Sequence, residues 1–312
     1  MAMNDTTTTD SAPVAQTAGM PTLHKAIFGV LLVFLIALPF FVYPVFVMKV
    51  MCFALFAAAF NLLLGFGGLL SFGHAAYFGS ASYVAAHAAK VWGLTPELSI
   101  LCGAAAAGVL GLVIGSLAIR RQGIYFAMVT LAFAQMVYFI ALQADFTGGE
   151  DGLQSVPRGD LFGLIPLADN MALYFFVLAV TFGGILMLYR IVHSPFGQVL
   201  KAIRENEQRA ISLGYDVNRY KLMVFTLSAT MAGVAGAMKS QVFQLATLTD
   251  VHWAMSGEVV LMTLLGGMGT IFGPLVGAGI IVTMQNYLAT FGAWVTVIQG
   301  VIFVIGVLMF RE

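Results

Sequence analysis

The sequence is a succession of long apolar runs, each near the length of a bilayer crossing, separated by short polar segments. The runs are Ile27–Val42, Val45–Leu64, Phe66–Ala89, Leu98–Ile119, Gly123–Leu142, Met171–Tyr189, Leu222–Gln241, Glu258–Ile271, Phe272–Leu288 and Trp294–Phe310. A helix needs about 20 apolar residues to cross the hydrocarbon of a bilayer. The runs are long and do not alternate in polarity, so they read as helices, which satisfy their own backbone polar groups in lipid. Of the 312 residues 60% are hydrophobic and only 9% charged, against about 25% charged in a soluble domain. So few charges cannot coat a water-facing surface. The expected fold is an all-α polytopic membrane protein of about ten transmembrane helices. Glu258–Ile271 is short for a span and is also compatible with a re-entrant segment.

Residues 1–24 are rich in Thr, Ser and Pro and poor in apolar side chains, which predicts a disordered tail ahead of a transmembrane domain over 25–312. Lys25 precedes the first run. The exit from that run, Phe41-Val42-Tyr43-Pro44, holds no small-x-small cleavage site, so the run reads as an uncleaved span. The net charge is zero, which leaves no basic field for nucleic acid. Cys52 and Cys102 lie inside apolar runs, and neither they nor the histidines have metal-ligand spacing, so neither a metal nor a cofactor is expected. Segment 190–221 carries Arg190, Lys201, Arg204, Arg209, Arg219 and Lys221. Segment 143–170 carries Asp145, Glu150, Asp151, Asp160 and Asp169 but only Arg158 as a base. The positive-inside rule puts 190–221 in the cytoplasm, 143–170 outside and both termini inside.

Glycine interrupts two of the runs. One reads Leu63-Leu64-Gly65-Phe66-Gly67-Gly68-Leu69-Leu70-Ser71-Phe72-Gly73-His74, the other Leu264-Leu265-Gly266-Gly267-Met268-Gly269-Thr270-Ile271-Phe272-Gly273-Pro274. Each has paired leucines, a glycine cluster and then Phe-Gly, on spans that run in opposite directions. Interruptions at matching places in two halves point to an inverted repeat, spans 2–5 and 7–10, and to a transport path. The candidate path residues are Gly67, Gly68, Ser71, Phe72, Gly73, His74, Gly266, Gly267, Gly269 and Gly273. Small residues also serve close helix packing, and that reading stays open for each glycine alone. His74 is either a packing histidine or part of the path, since an ionisable group inside a membrane tends to be functional. Asn61, Gln135, Gln285, Asn286 and Gln299 suit hydrogen bonds between helices.

In the basic segment, Ser194-Pro195 supplies an N-cap and a first-turn proline, and Gly214 a left-handed stop. Between them Val199, Ile203, Ala210 and Leu213 can share a face, with Lys201, Arg204, Glu205, Gln208 and Arg209 around the rest. One or two short amphipathic helices are expected. They could be a solvated loop, lie on lipid headgroups, or dock in a groove on a partner.

Several strings resemble the LivM family of branched-chain amino-acid permeases. They are Ser194-Pro195-Phe196-Gly197 with Ala202 to Glu207 and Arg209-Ala210, the glycine-rich stretch Gly68 to His87, Gln122 to Gln135, and Thr147 to Leu153. The likeness runs from about residue 45 to 310. It implies the permease subunit of an ATP-binding-cassette importer in a bacterial inner membrane. Implied partners are a second, LivH-like permease, a pair of ATPase subunits and an external solute-binding protein. Implied roles are ATPase coupling for Arg204, Glu205, Asn206, Glu207, Arg209 and Gly214, and binding-protein contact for Gly148, Gly149, Glu150 and Asp151. The general coupling motif of such importers, Glu-Ala-Ala, three residues, then Gly, is here Gln208-Arg209-Ala210 at the matching distance from Gly214. Branched-chain amino acids are the implied solutes, with other amino acids, urea or short amides as related possibilities. No Gly-Lys dipeptide occurs, so the chain holds no phosphate loop of its own. An ion-coupled secondary transporter is the alternative. Such proteins carry carboxylates or histidines deep in their spans, and here Glu258 is the only carboxylate that reads as near an apolar run. No ordered catalytic constellation is present, so an enzyme is not expected.

Overall fold

A computed structural model describes residues 22–288 and, beyond them, positions 294, 297, 298, 300, 301 and 304. The expected tail 1–24 falls almost wholly outside the described residues, and most of the expected run Trp294–Phe310 does too. The described chain is helical: α1 Thr22–Ala37, α2 Pro44–Asn61, α3 His74–Lys90, α4 Pro96–Ala118, α5 Ile124–Gln143, α6 Asn170–His193, α7 Pro195–Glu205, α8 Glu207–Ser212, α9 Val217–Phe243, α10 Trp253–Gly266 and α11 Gly273–Leu288. Five stretches are long and apolar enough to cross a bilayer outright: Pro44–Phe66, α4, α5, α6 and α9. Helices α1, α3, α10 and α11 are shorter, at 16, 17, 14 and 16 residues.

Helix α2 is the axis of the bundle. Its residues from Met51 to Asn61 are all buried, packed among α6, α9, α10 and α11. Around it, α3, α4 and α9 meet through small residues that let backbones approach. A Cβ at Gly236 of α9 would collide with the carbonyl of Phe78 on α3, and one at Gly111 of α4 with Ala229 on α9. The packing is therefore set by missing side chains as much as by apolar area.

Two expected spans take a different form. Phe66–Ala89 is not one helix. A π-helical turn over Leu62–Phe66 follows α2, residues 67–73 are irregular, and α3 starts at His74. The cause is local: Gly68 takes φ +70°, a conformation ordinary side chains rarely adopt. The expected run Glu258–Ile271 is displaced toward its N-terminus, as α10, because Gly267 at φ +102° ends the helix. Ahead of α10 the chain turns inward. The segment Leu248–Asp250 is a short 3-10 turn, and the backbone at Asp250 and Val251 lies against Gly79 of α3. A Cβ at Gly79 would stand 2.7 Å from the Val251 nitrogen.

The strands among the described residues are β1 Leu153–Gln154, β2 Asp160–Leu161 and β3 Ile165–Pro166 in the loop between α5 and α6, and β4 Leu245–Ala246 after α9. Pairing of β1 with β4 ties this loop to the end of α9. Arg158 adds to the tie, donating to Val242 O at 3.0 Å and to Asn170 Oδ1 at 2.8 Å. This loop and the α7–α8 segment therefore sit at opposite ends of α6.

Candidate functional site

The two glycine-interrupted segments meet each other at the α7–α8 end of the bundle. Asn61, the last residue of α2, donates through Nδ2 to Thr270 O at 2.7 Å and accepts from Gly269 N at 3.0 Å through Oδ1. Both ends of its amide are thus spent on the turn after α10. Gly65 lies in the same contact, and a Cβ there would stand 2.6 Å from Gly269 N. The turn is held from within by Thr270 Oγ1, which donates to Gly267 O at 2.8 Å and accepts from Gly273 N at 3.1 Å. Gly266 and Gly273 face each other so closely that neither has room for a side chain.

Arg204 of α7 reaches into this junction. Its guanidinium donates to Gly65 O. A Cβ on Gly68 would stand 3.0 Å from Arg204 Cγ, and one on Gly269 would stand 3.4 Å from Arg204 Nη1. Beside it, the Lys201 ammonium lies 5.7 Å from the centre of the Phe66 ring. The next helix is pinned elsewhere. Glu207 opens α8 and takes an ion pair from Lys221 of α9 at 2.8 Å and a hydrogen bond from Gln122 Nε2 at 3.2 Å. One face of this hinged pair is therefore seated on the bundle.

Capping explains why the pair forms. Ser194 accepts from Gly197 N at 3.4 Å with Pro195 in the first turn, and Asn206 accepts from Arg209 N at 3.0 Å. Asn206 breaks the helix and rotates the second piece. Gly197, Leu200, Ile203 and Ala210 are the buried positions. Leu213, expected on the same face, is 68% exposed. Gly214 closes α8 at φ +86°. The outer surface of the pair is a groove lined by Ala202, Glu205, Asn206, Arg209, Ala210, Leu213 and Tyr215, with an open volume of about 310 Å³.

The remaining candidates fall elsewhere. Gly67 packs on Val224 of α9. Ser71, Phe72, Gly73 and His74 form a separate knot deeper in the bundle. Gly73 N donates to Ser71 Oγ at 3.2 Å and Phe72 N to Thr130 Oγ1 at 3.2 Å. His74 is fully buried, with Nε2 at 2.9 Å from Ser228 Oγ and its ring edge-on to Phe60, Tyr77 and Phe225. Ser228 in turn donates to Ala59 O at 2.6 Å. Gly148 and Gly149 lie in the strand-bearing loop at positive φ, with Glu150 and Asp151 exposed between them and Gly152.

A charged layer near the other end of α2 went unread in the sequence. Lys239 of α9 pairs with Asp250 at 2.6 Å, and Asp250 is only 2% exposed. Glu258 of α10 accepts from Gln285 Nε2 of α11 at 2.9 Å. Lys49 lies on α2, five residues in from Pro44. Asp250 corrects the expectation that Glu258 alone among carboxylates sits near an apolar run. Lone lysines at 49 and 239 inside apolar runs were the available signal. Asp250 gave none, because its burial depends on the inward turn of a loop.

This is a multi-pass helical membrane protein with an amphipathic helix pair seated on two broken membrane segments. Residues 45–308 match the family model for the branched-chain amino acid transport system permease component, and the chain belongs to that family. It is 28% identical over 232 residues to the high-affinity branched-chain amino acid transport system permease protein LivM of Escherichia coli, covering 67% of this chain and 53% of that one. It is 31% identical over 195 residues to the ribose import permease protein RbsC of Bacillus subtilis, covering 57% of this chain and 58% of the other. A probable branched-chain amino acid permease protein LivH of Methanocaldococcus jannaschii is 31% identical over 117 residues, 38% of this chain and 35% of its own. The chain spans about half the length of the curated relatives it matches. No solved structure matches it significantly.

Proposed function

We propose that this chain is the membrane-spanning permease subunit of an ATP-binding-cassette importer that moves branched-chain amino acids, or related small polar solutes, into a bacterial cell across the inner membrane. The single observation that carries the reading is the seat of Arg204. One residue of an exposed helix pair touches both broken membrane segments, through Gly65 O and beside Gly269. A force applied to the outer groove of α7–α8 is thereby passed to the two places where the membrane backbone is least regular. Rigid, seated elements of this kind transmit movement between subunits.

In this reading the α7–α8 end is cytoplasmic and the strand-bearing loop is external, as the Lys/Arg asymmetry favours. Arg204, Glu205, Asn206, Glu207, Arg209 and Gly214 form the ATPase-coupling element. Gly148, Gly149, Glu150 and Asp151 meet the external binding protein. Of the ten spans, 2–5 and 7–10 form an inverted repeat, and the meeting of the Gly65 and Gly269 turns supports its symmetry. A second permease of the LivH kind, a pair of ATPase subunits and the binding protein complete the complex, and this chain catalyses nothing itself. Relatives are named for ribose as well as for branched-chain amino acids, so the solute is decided by assay. The test is uptake into proteoliposomes holding the complete complex, with ATP inside and binding protein outside, offering leucine, isoleucine, valine and ribose in turn. ATP-dependent accumulation of the amino acids supports the reading. Uptake of ribose alone would replace the substrate, and uptake without ATP would overturn the importer class.

A further inference from the structure

The charged layer lies within the span-length part of the bundle. Helices α2 and α10 run side by side in the same direction, since Thr263 donates to Ala57 O at 3.4 Å while Gly269 N meets Asn61. Counting back along both helices, Glu258 is level with Cys52, about 12 Å inside the Pro44 end of a stretch about 34 Å long. Lys49 is one turn nearer that end. Both side chains are partly exposed on the isolated chain. Charge facing hydrocarbon at that depth is costly, so groups of this kind face water-filled cavities or partners.

The layer contains two kinds of pair. Lys239 and Asp250 close on each other at 2.6 Å and are nearly sealed, so each neutralises the other. Lys49 and Glu258 stand about one helical turn apart in level and make no ion pair of contact length among the described residues. Glu258 is instead steadied by the neutral amide of Gln285. The result is an ammonium and a carboxylate that are not spent on each other. A neutral sugar has no use for that arrangement. A zwitterion matches it at both ends, carboxylate toward Lys49 and ammonium toward Glu258.

We propose that Lys49 and Glu258 line the aqueous solute path and hold the two charged ends of an α-amino acid in transit. The inference rests on the amino-acid importer reading and names the groups that would recognise its solute class.

The complete complex in proteoliposomes is again the assay, and wild-type uptake is measured first. If the wild type accumulates only a neutral sugar, the amino-acid reading falls before any variant is made. Given amino-acid uptake, Lys49→Met and Glu258→Gln should each lower it at least tenfold, whereas Lys49→Arg and Glu258→Asp should keep more than half. To separate recognition from folding, Lys49→Cys is assembled in a background lacking Cys52 and Cys102 and then treated with 2-aminoethyl methanethiosulfonate. The new ammonium should restore at least half of the uptake, while the neutral ethyl reagent should restore none. Unchanged uptake in both Lys49→Met and Glu258→Gln would overturn the proposal and leave the importer reading standing. So would equal rescue by the neutral reagent, or failure of the cysteine to react in the assembled complex.

Discussion

At the scale of single residues, the junction depends on groups with no spare valence. Asn61 is 2% exposed and spends its amide on Gly269 and Thr270. Replacing it by Leu keeps the bulk and strands the half-buried Gly269 N–H and the Thr270 carbonyl. The cost of such stranding is about 1–3 kcal/mol, so Asn61→Leu is expected to lower the thermal denaturation midpoint of the detergent-purified protein clearly. A midpoint equal to wild type would show that water or another side chain replaces the clamp. Glycine acts by absence in the same place. Gly65→Ala would push a methyl into Asn61 and Gly269 N, and overpacking of this kind costs about 1–3 kcal/mol. Transport should fall with it, because the backbone of residue 65 also receives Arg204. Full transport in Gly65→Ala would detach the junction from the working cycle.

At the scale of elements, α7 and α8 are held by separate anchors, Arg204 on Gly65 and Glu207 on Lys221, and in the proposed reading they serve as a lever. Exchanging the charges, Arg204→Glu with Glu207→Arg, preserves net charge but sets the new arginine against Lys221. Stimulation of ATP hydrolysis by loaded binding protein should drop to near the unstimulated rate in the purified complex. Wild-type stimulation would favour a helix pair that rests on lipid headgroups, where only net charge matters. The ends of these helices were legible because Ser194, Pro195 and Gly214 act through local chemistry. The break at Asn206 was not, since a side chain that caps a following helix looks in sequence like any polar residue. Likewise the long spans could be read from their length and polarity, and the interruption at 67–73 from its glycines, whereas its form depended on which glycine turns its backbone. That Asn61 would bond another helix was expected. That its partner would be the matching glycine turn, about 200 residues away, is a matter of tertiary packing that no local pattern carries.

At the scale of the whole molecule, the importer reading makes a chain without a phosphate loop dependent on ATPase partners to concentrate a solute. The purified chain alone in liposomes is expected to show no ATP-dependent accumulation of leucine, and accumulation without partners would refute the importer reading. Topology is tested by single cysteines at Gly152 and Gln208 in a background lacking Cys52 and Cys102. An impermeant thiol reagent on intact cells should label only the first. The architecture also bears on how the chain enters a bilayer. Because Asp250 and Val251 are seated against Gly79, about 16 Å along α3 from Lys90, α10 starts below the surface and measures only about 21 Å. A helix of that length does not cross on its own, and its seat exists only after α2 and α3 are in place. During synthesis α10 must therefore wait for the older helices and arrive as a hairpin with α11, so a nascent chain ending near Gly266 should leave that segment unprotected from protease until α11 has emerged.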